Sequence, residues 1–275
     1  MHYGIEVVPF GPYSDPRRVV ELARAAEAAG WQAITLWDHV LFPYGTGDPW
    51  VMLAAVAATT QRIKLCTDVS PLPRYSPHVL ARTLIALDIL SQGRVILGAG
   101  AGVDFDFTPV DPVTSPKRRA AILDESLEIL AHLQAGEPVT FHGQHFTFDN
   151  VQLVPGPVQR PRIPVWIGGD SQPAYRRAAK WDGWVIGTID EQQNITLTPE
   201  QVGERVAAIH HHRTSDAPFA VAVTGATDPG NDALPRDYAD AGATWWFESL
   251  FASRGSHAEM LARIAAGPPR RTAEL

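Results

Sequence analysis

The sequence predicts an α/β fold, a closed (β/α)8 TIM barrel with a small β-hairpin insertion before strand five, in one domain over residues 1–275; three observations carry that expectation. Short apolar, β-branched runs alternate with stretches of helical period along the whole chain, and eight such pairs can be marked. Eight parallel strands, each followed by a helix, close into a barrel, although an open doubly wound sheet shows the same alternation. Helices repeatedly open on an Asp-Pro or Ser-Pro pair, which supplies an N-cap oxygen and a first-turn residue with preset φ. No stretch rich in Gly, Pro or Ser divides the chain, and roughly 250 residues is ordinary for one such barrel.

The first strand is expected over residues 5–10. Asp15 and Pro16 then open a helix with Val19, Val20, Leu22 and Ala26 on one side, closed by Gly30. A strand over 33–37 leads to a helix from Asp48-Pro49 to Thr59. A strand over 63–69 leads to one opened by Ser76-Pro77, with Leu80, Leu84, Leu87 and Leu90 as its buried stripe. The fourth strand, 95–97, runs into Gly98, Gly100 and Gly102. The following helix opens at Ser115-Pro116, buries Ile122, Leu123, Leu127, Leu130 and Leu133, and ends before Gly136. Residues 139–148 alternate with period two around Gly143, which reads as the hairpin, and the fifth strand follows at 165–167. Helix 173–181, strand 184–186, helix 199–212, strand 219–223, a short helix around Tyr238, strand 244–247 and helix 256–265 complete the series.

Thirty acidic and 23 basic residues give a net charge of −7, with the basic side chains scattered. That argues against nucleic acid as a partner. A single cysteine, Cys66, rules out an internal disulfide and a thiolate-rich metal site. No basic leader and no apolar run of membrane-spanning length is present, so a cytoplasmic protein without a membrane partner is expected.

Catalytic groups of such barrels sit where strands end and loops begin. Trp37, Asp38 and His39 follow the second strand; Thr67, Asp68 and Val69 lie at the third; Gly98, Gly100 and Gly102 precede Asp104 and Asp106; Gly168, Gly169, Asp170 and Ser171 follow the fifth; Glu248 follows the eighth. A histidine beside an acid can move a proton at neutral pH, or simply cap its loop. The G-x-G-x-G run admits a ligand close to the backbone but lacks the dinucleotide-binding spacing. Free amides ahead of Pro173 suit a phosphate, or make a plain tight turn. His210, His211 and His212 splay around their helix, and His142 and His145 lack a third ligand, so no metal site is expected. Asp38, Asp68, Asp104, Asp106 and Glu248 leave a two-carboxylate hydrolase open. Trp245 and Trp246 are expected to pack.

Taken in order, these residues resemble the luciferase-like flavin-dependent oxidoreductases, which use FMN or the deazaflavin coenzyme F420. The likeness is densest at Trp37-Asp38-His39-Val40, at Arg62-Ile63-Lys64-Leu65 and at Leu72-Pro73-Arg74-Tyr75-Ser76-Pro77. It is equally dense in the S-x-G-R-x-x-L-G-x-G run from Ser91 and the P-x-Q-x-P-x-x-P-x-W-x-G-G run from Pro157. The resemblance implies an oxidoreductase or monooxygenase acting on a small organic substrate, with reduced FMN and O2 or with F420 as hydride carrier. It implies catalytic roles for His39 and Asp38. Cofactor binding would fall to Trp37, Asp38, His39, Thr67, Asp68, Val69, Gly98, Gly100, Gly102, Trp166, Gly168, Gly169, Asp170 and Ser171. A non-proline cis peptide is implied at Asp68-Val69. Val103 stands where several F420-using members carry a glutamate. Arg74, Lys117, Arg118, Arg119, Arg176 and Arg177 lie on loops that could meet the acidic tail of F420, and substrate-shaping loops surround Tyr44, Trp50, Phe105 and Phe107. A separate flavin or F420 reductase and a second copy of the chain are the implied partners. A non-catalytic flavin-binding barrel is the alternative.

Overall fold

The computed structural model describes residues 1–42, 47–111, 114–190 and 192–269. Its strands are β1 (His2–Val7), β2 (Ala33–Leu36), β3 (Lys64–Thr67), β4 (Ser70–Pro71), β5 (Val95–Gly100), the hairpin β6 (Val139–His142) and β7 (Thr147–Val151), β8 (Val165–Gly168), β9 (Gly183–Gly187), β10 (Ala220–Gly225) and β11 (Trp245–Leu250). The sheet runs β3-β2-β1-β11-β10-β9-β8-β5-β4, and β3 also pairs with β5. The sheet therefore closes on itself, β3 and β4 sharing one of eight positions, and every pairing in it is parallel. The open-sheet alternative is excluded.

Helices α1 (Pro16–Ala28), α2 (Pro49–Thr59), α3 (Pro77–Ser91), α4 (Asp104–Phe107), α5 (Pro116–Ala135), α6 (Gln172–Ala178), α7 (Pro199–His212), α8 (Ala233–Asp240) and α9 (His257–Ala265) follow the strands. Asp15, Asp48 and Ser115 accept first-turn amides as the sequence predicts; Ser171 does the same for α6, and Thr198 and Ser256 complete capping boxes. Ser76 occupies the N-cap of α3 without such a bond. No helix among the described residues is long and apolar enough to cross a membrane.

Strand alternation divides the core in two. Ile5, Val7, Ile34, Leu36, Leu97, Trp246 and Leu250 face the helices, whereas Ala33, Cys66, Ile96, Trp166, Val185, Ala222 and Phe247 fill the barrel. Burial among the latter pushes the Cys66 thiol up, out of reach of ionisation. Two of the sequence runs have structural work here. Arg94 is buried and donates to the carbonyls of Ala57, Thr60 and Ile63, closing the C-terminal end of α2 onto the start of β5. Gln159 donates from its side chain to Asp88 and to the Val95 carbonyl, fixing the segment before β8 to α3.

The structure departs from expectation at several edges. The first strand is His2–Val7 rather than 5–10, because Gly4 pairs with Ala33 and His2 with Trp245; Pro9 brings no N–H and Phe10 turns toward the barrel mouth. Leu90 is 48% exposed, the stripe of α3 continuing through Asp88 and Ser91 instead. Gly98 and Gly100 belong to β5, not to a loop after it, and the short helix α4 follows.

A Cβ built on Gly98 would lie 1.8 Å from the Thr67 carbonyl oxygen, a backbone atom that cannot swing aside. Gly98→Ala is expected to cost about 3 kcal/mol, lowering Tm by roughly 6–12 °C in a thermal melt. Gly187→Ala, whose Cβ would meet nothing closer than Thr224 Oγ1 at 3.6 Å, should shift Tm far less.

Candidate functional site

A cleft of about 1420 Å³ opens at the C-terminal ends of the strands. Its floor is shaped where the third barrel position breaks into β3 and β4, and the Asp68-Val69 peptide between them is cis. Val69 then projects toward β5 and β8. A Cβ on Gly98, Gly100 or Gly168 would stand 3.3, 2.6 or 2.8 Å from a Val69 methyl. The glycines leave room for Val69, and with it Gly100 and Gly168 present a side-chain-poor surface to the cleft.

Beside this floor stands His39. Its Nδ1 lies 2.7 Å from Asp106 Oδ2, while Asp106 Oδ1 accepts the amides of Val40 and Leu41 at 3.2 and 2.9 Å. Arg74 donates to Asp106 at 2.7 Å and to Asp38 at 3.1 Å, and the Tyr75 hydroxyl donates to Asp38 at 2.6 Å. Burial alone would raise the Asp106 carboxyl, but the Leu41 amide, the His39 ring and Arg74 outweigh it and hold the carboxyl below its ordinary range. An ionised carboxylate only accepts, so the bond runs from the Nδ1–H of His39 to Asp106. The acid that serves His39 is thus Asp106 and not its sequence neighbour Asp38, whose oxygens are taken by Arg74 and Tyr75. Burial moves the Asp38 carboxyl upward in spite of those bonds.

Deeper in the cleft, Glu6 of β1 accepts from Trp37 Nε1 at 2.7 Å and from Ser249, and faces Asp68. Burial drives both carboxyls up, Asp68 furthest, because two such acids cannot both ionise side by side away from water.

Of the residues singled out in the sequence, Trp37, Asp38, His39, Asp68, Val69, Gly100, Gly102, Gly168, Gly169 and Ser171 line the cleft. Four do not. Thr67 points across to β5, where its hydroxyl donates to Gly98 O, and Gly98 is walled off behind Val69. Trp166 faces inward one layer too low and packs against Trp245 and Phe247. Asp170 turns outward to Tyr175 and Arg205.

Glu248 leaves the mouth altogether. It lies within β11 facing the helices, bound by Thr227, Arg254 and Arg263. Among the basic residues, Lys117 and Arg177 line the cleft, Arg177 paired with Asp124, whereas Arg119 is buried against Asp104 and Phe107. Tyr44 lies outside the described residues, Trp50 and Phe107 stand behind the lining, and Phe105, half exposed, stacks on the His39 ring with centroids 5.3 Å apart. The sequence reading missed Glu6, Phe10 and Phe42 as cleft residues. A charged residue inside an apolar strand was the available signal for Glu6; nothing local marks Phe42. Among the described residues no three potential ligands gather to hold a metal.

A closed parallel barrel with a broken third strand, a glycine floor and an acid-held histidine at its mouth defines a small-molecule enzyme site of the TIM-barrel type. The sequence profile of the luciferase-like monooxygenases matches residues 4–271, and the chain belongs to that family. It is 30% identical over 227 residues to an uncharacterized protein of Mycobacterium tuberculosis, covering 74% of this chain and 75% of that one. It is 33% identical over 208 residues to an F420-dependent glucose-6-phosphate dehydrogenase of Nakamurella multipartita, covering 70% of this chain and 60% of the relative. The same fold is seen in the monooxygenase RslO1 of Streptomyces bottropensis (TM-score 0.79, 20% identity, 96% of both chains). It is seen too in the F420-dependent tetrahydromethanopterin reductase of Methanopyrus kandleri (0.78, 16%, 96% of both). A third example is the oxygenating constituent of 3,6-diketocamphane monooxygenase from Pseudomonas putida, solved with FMN (0.67, 18%, 82% of this chain and 67% of that one).

The lowered Asp106 carboxyl sets a pH dependence. A carboxyl depressed by folding adds stability above its unfolded value, near 3.8, and loses it as pH falls through the folded value. Urea unfolding of the native chain and Asp106→Asn should therefore differ at neutral pH by a gap that narrows only below about pH 4. A gap unchanged down to pH 3 would remove the ionised Asp106 from the network.

Proposed function

We propose that the chain is an oxidoreductase that holds a flavin or deazaflavin coenzyme, FMN or F420, in the cleft and acts on a small organic substrate beside His39. The observation that carries this reading is the floor of Val69 and glycine backbone facing an acid-held histidine. A planar ring needs a flat surface on which no side chain protrudes, and Val69, Gly100, Gly168 and Gly187 supply one. Ser171, Gly169 and Lys117 offer hydroxyl, amide and cationic donors for the phosphate end. The glucose-6-phosphate dehydrogenase relative favours F420 of the two, and the FMN-containing neighbour keeps the other in view. Such a coenzyme, when bound, supplies hydride transfer, or oxygenation where O2 joins the reduced flavin.

The chain's own part is position and protons. Asp106 keeps the Nδ1 proton of His39 in place, so that Nε2 can take a proton from the substrate or, once protonated, return one. The apolar walls exclude water. A separate reductase that delivers the reduced coenzyme, a second copy of the chain and a cytoplasmic setting belong to the same proposal.

Titrating FMN and F420 separately into the purified protein, followed by absorbance, should show micromolar or tighter binding of one of them. Gly187→Phe, which places a ring on the exposed floor with space around its Cβ, should abolish that binding and leave Tm near the native value. Binding of neither coenzyme, or native affinity in Gly187→Phe, would overturn the reading. His39→Asn should keep coenzyme binding and lower turnover about 10²–10⁴-fold once a substrate is in hand.

A further inference from the structure

We infer that the part of the cleft around His39 receives an uncharged, apolar organic substrate, that it rejects phosphorylated and carboxylated ones, and that Phe42 is the main surface recognising it. The inference rests on the coenzyme reading above and adds the substrate class to it.

The rings around His39 are those of Phe105, Trp37, Phe42 and Phe10, and Val8 lines the same cleft. Phe10 and Phe42 stack with centroids 4.2 Å apart and planes 10° from parallel, and Phe42 meets Trp37 edge-on at 6.4 Å and 75°. Trp37 spends its one polar hydrogen on Glu6, so it offers the cleft apolar ring surface. Phe10 is almost wholly buried, whereas Phe42 keeps part of its surface open. Aromatic faces of this kind reward a ring or hydrocarbon and gain nothing from an anion.

Charge points the same way. Arg74, the cation bonded beside His39, is already spent on two carboxylates, Asp38 and Asp106. An anion placed there would meet those acids without a free cation to receive it. Lys117, on α5, is the cation that the coenzyme reading gives to the phosphate end, and Arg177, on α6, is paired with Asp124. Space permits two occupants, since about 1420 Å³ exceeds the roughly 300–1,000 Å³ of a pocket for one ligand.

The test uses acetophenone as the uncharged probe and glucose 6-phosphate as the anionic one. Both are followed by saturation-transfer NMR on the full chain, with and without whichever of FMN and F420 binds. Acetophenone should bind saturably, and Phe42→Ala should weaken it about three- to tenfold while Phe42→Leu loses less. Circular dichroism checks that both variants fold as the native chain does. Glucose 6-phosphate should show no saturable binding on the coenzyme-loaded protein at tenfold higher concentration. Tighter binding of the sugar phosphate there, or acetophenone affinity unmoved by Phe42→Ala, would overturn the inference. Coenzyme binding without acetophenone binding would overturn it alone, while acetophenone binding with neither coenzyme would support it and sink the coenzyme reading instead.

Discussion

The contact between Val69 and the glycines of β5 and β8 governs the rest of the site. Where β3 gives way to β4, the chain delivers Val69 into space that Gly98, Gly100 and Gly168 leave open, and a methyl on any of them would collide with it or with the Thr67 carbonyl. Close-packed interiors do not tolerate such overlap. Because the three positions are bare, the barrel can close over the break, with Leu65 paired to Val95 below it and Ser70 to Ala99 above it. The same bareness makes the cleft floor flat. Fold closure and ligand-shaped surface are two results of one packing requirement.

Around that floor the charged groups are arranged to hold rather than to attract. Arg74 bridges Asp38 and Asp106, Tyr75 completes Asp38, and two backbone amides complete Asp106. A buried ionic cluster adds little net stability, but removing one member strands the others, so its geometry is tightly determined. What it determines is the orientation and tautomer of His39. The Glu6 and Asp68 carboxyls, buried deeper, are instead kept from ionising together.

Much of the architecture was legible because its signals are local. Alternating apolar runs and capped, proline-opened helices depend on residues a few positions apart, and the hairpin shows in its own period-two pattern. The broken third strand was legible only through resemblance. The first strand was misplaced because Val8, Pro9 and Phe10 are as apolar as a strand, whereas Val8 and Phe10 wall the cleft. Leu90 misled for the complementary reason, an apolar residue in a helical pattern that faces solvent.

By itself, then, the sequence determined the series of strand and helix pairs and the chain positions where strands end, since these rest on periodicity and short-range punctuation, while the family rested on the resemblance of its motif runs. Only the tertiary structure decided which acid meets His39, because Asp106 lies 67 positions away and arrives on the turn of a four-residue helix. It also decided which of the marked residues see the cleft. In a strand each step of one residue reverses the direction of the side chain. That parity, set by pairing across the closed sheet, sends Glu6 inward and Glu248 outward, and seats Trp166 in the core below the floor.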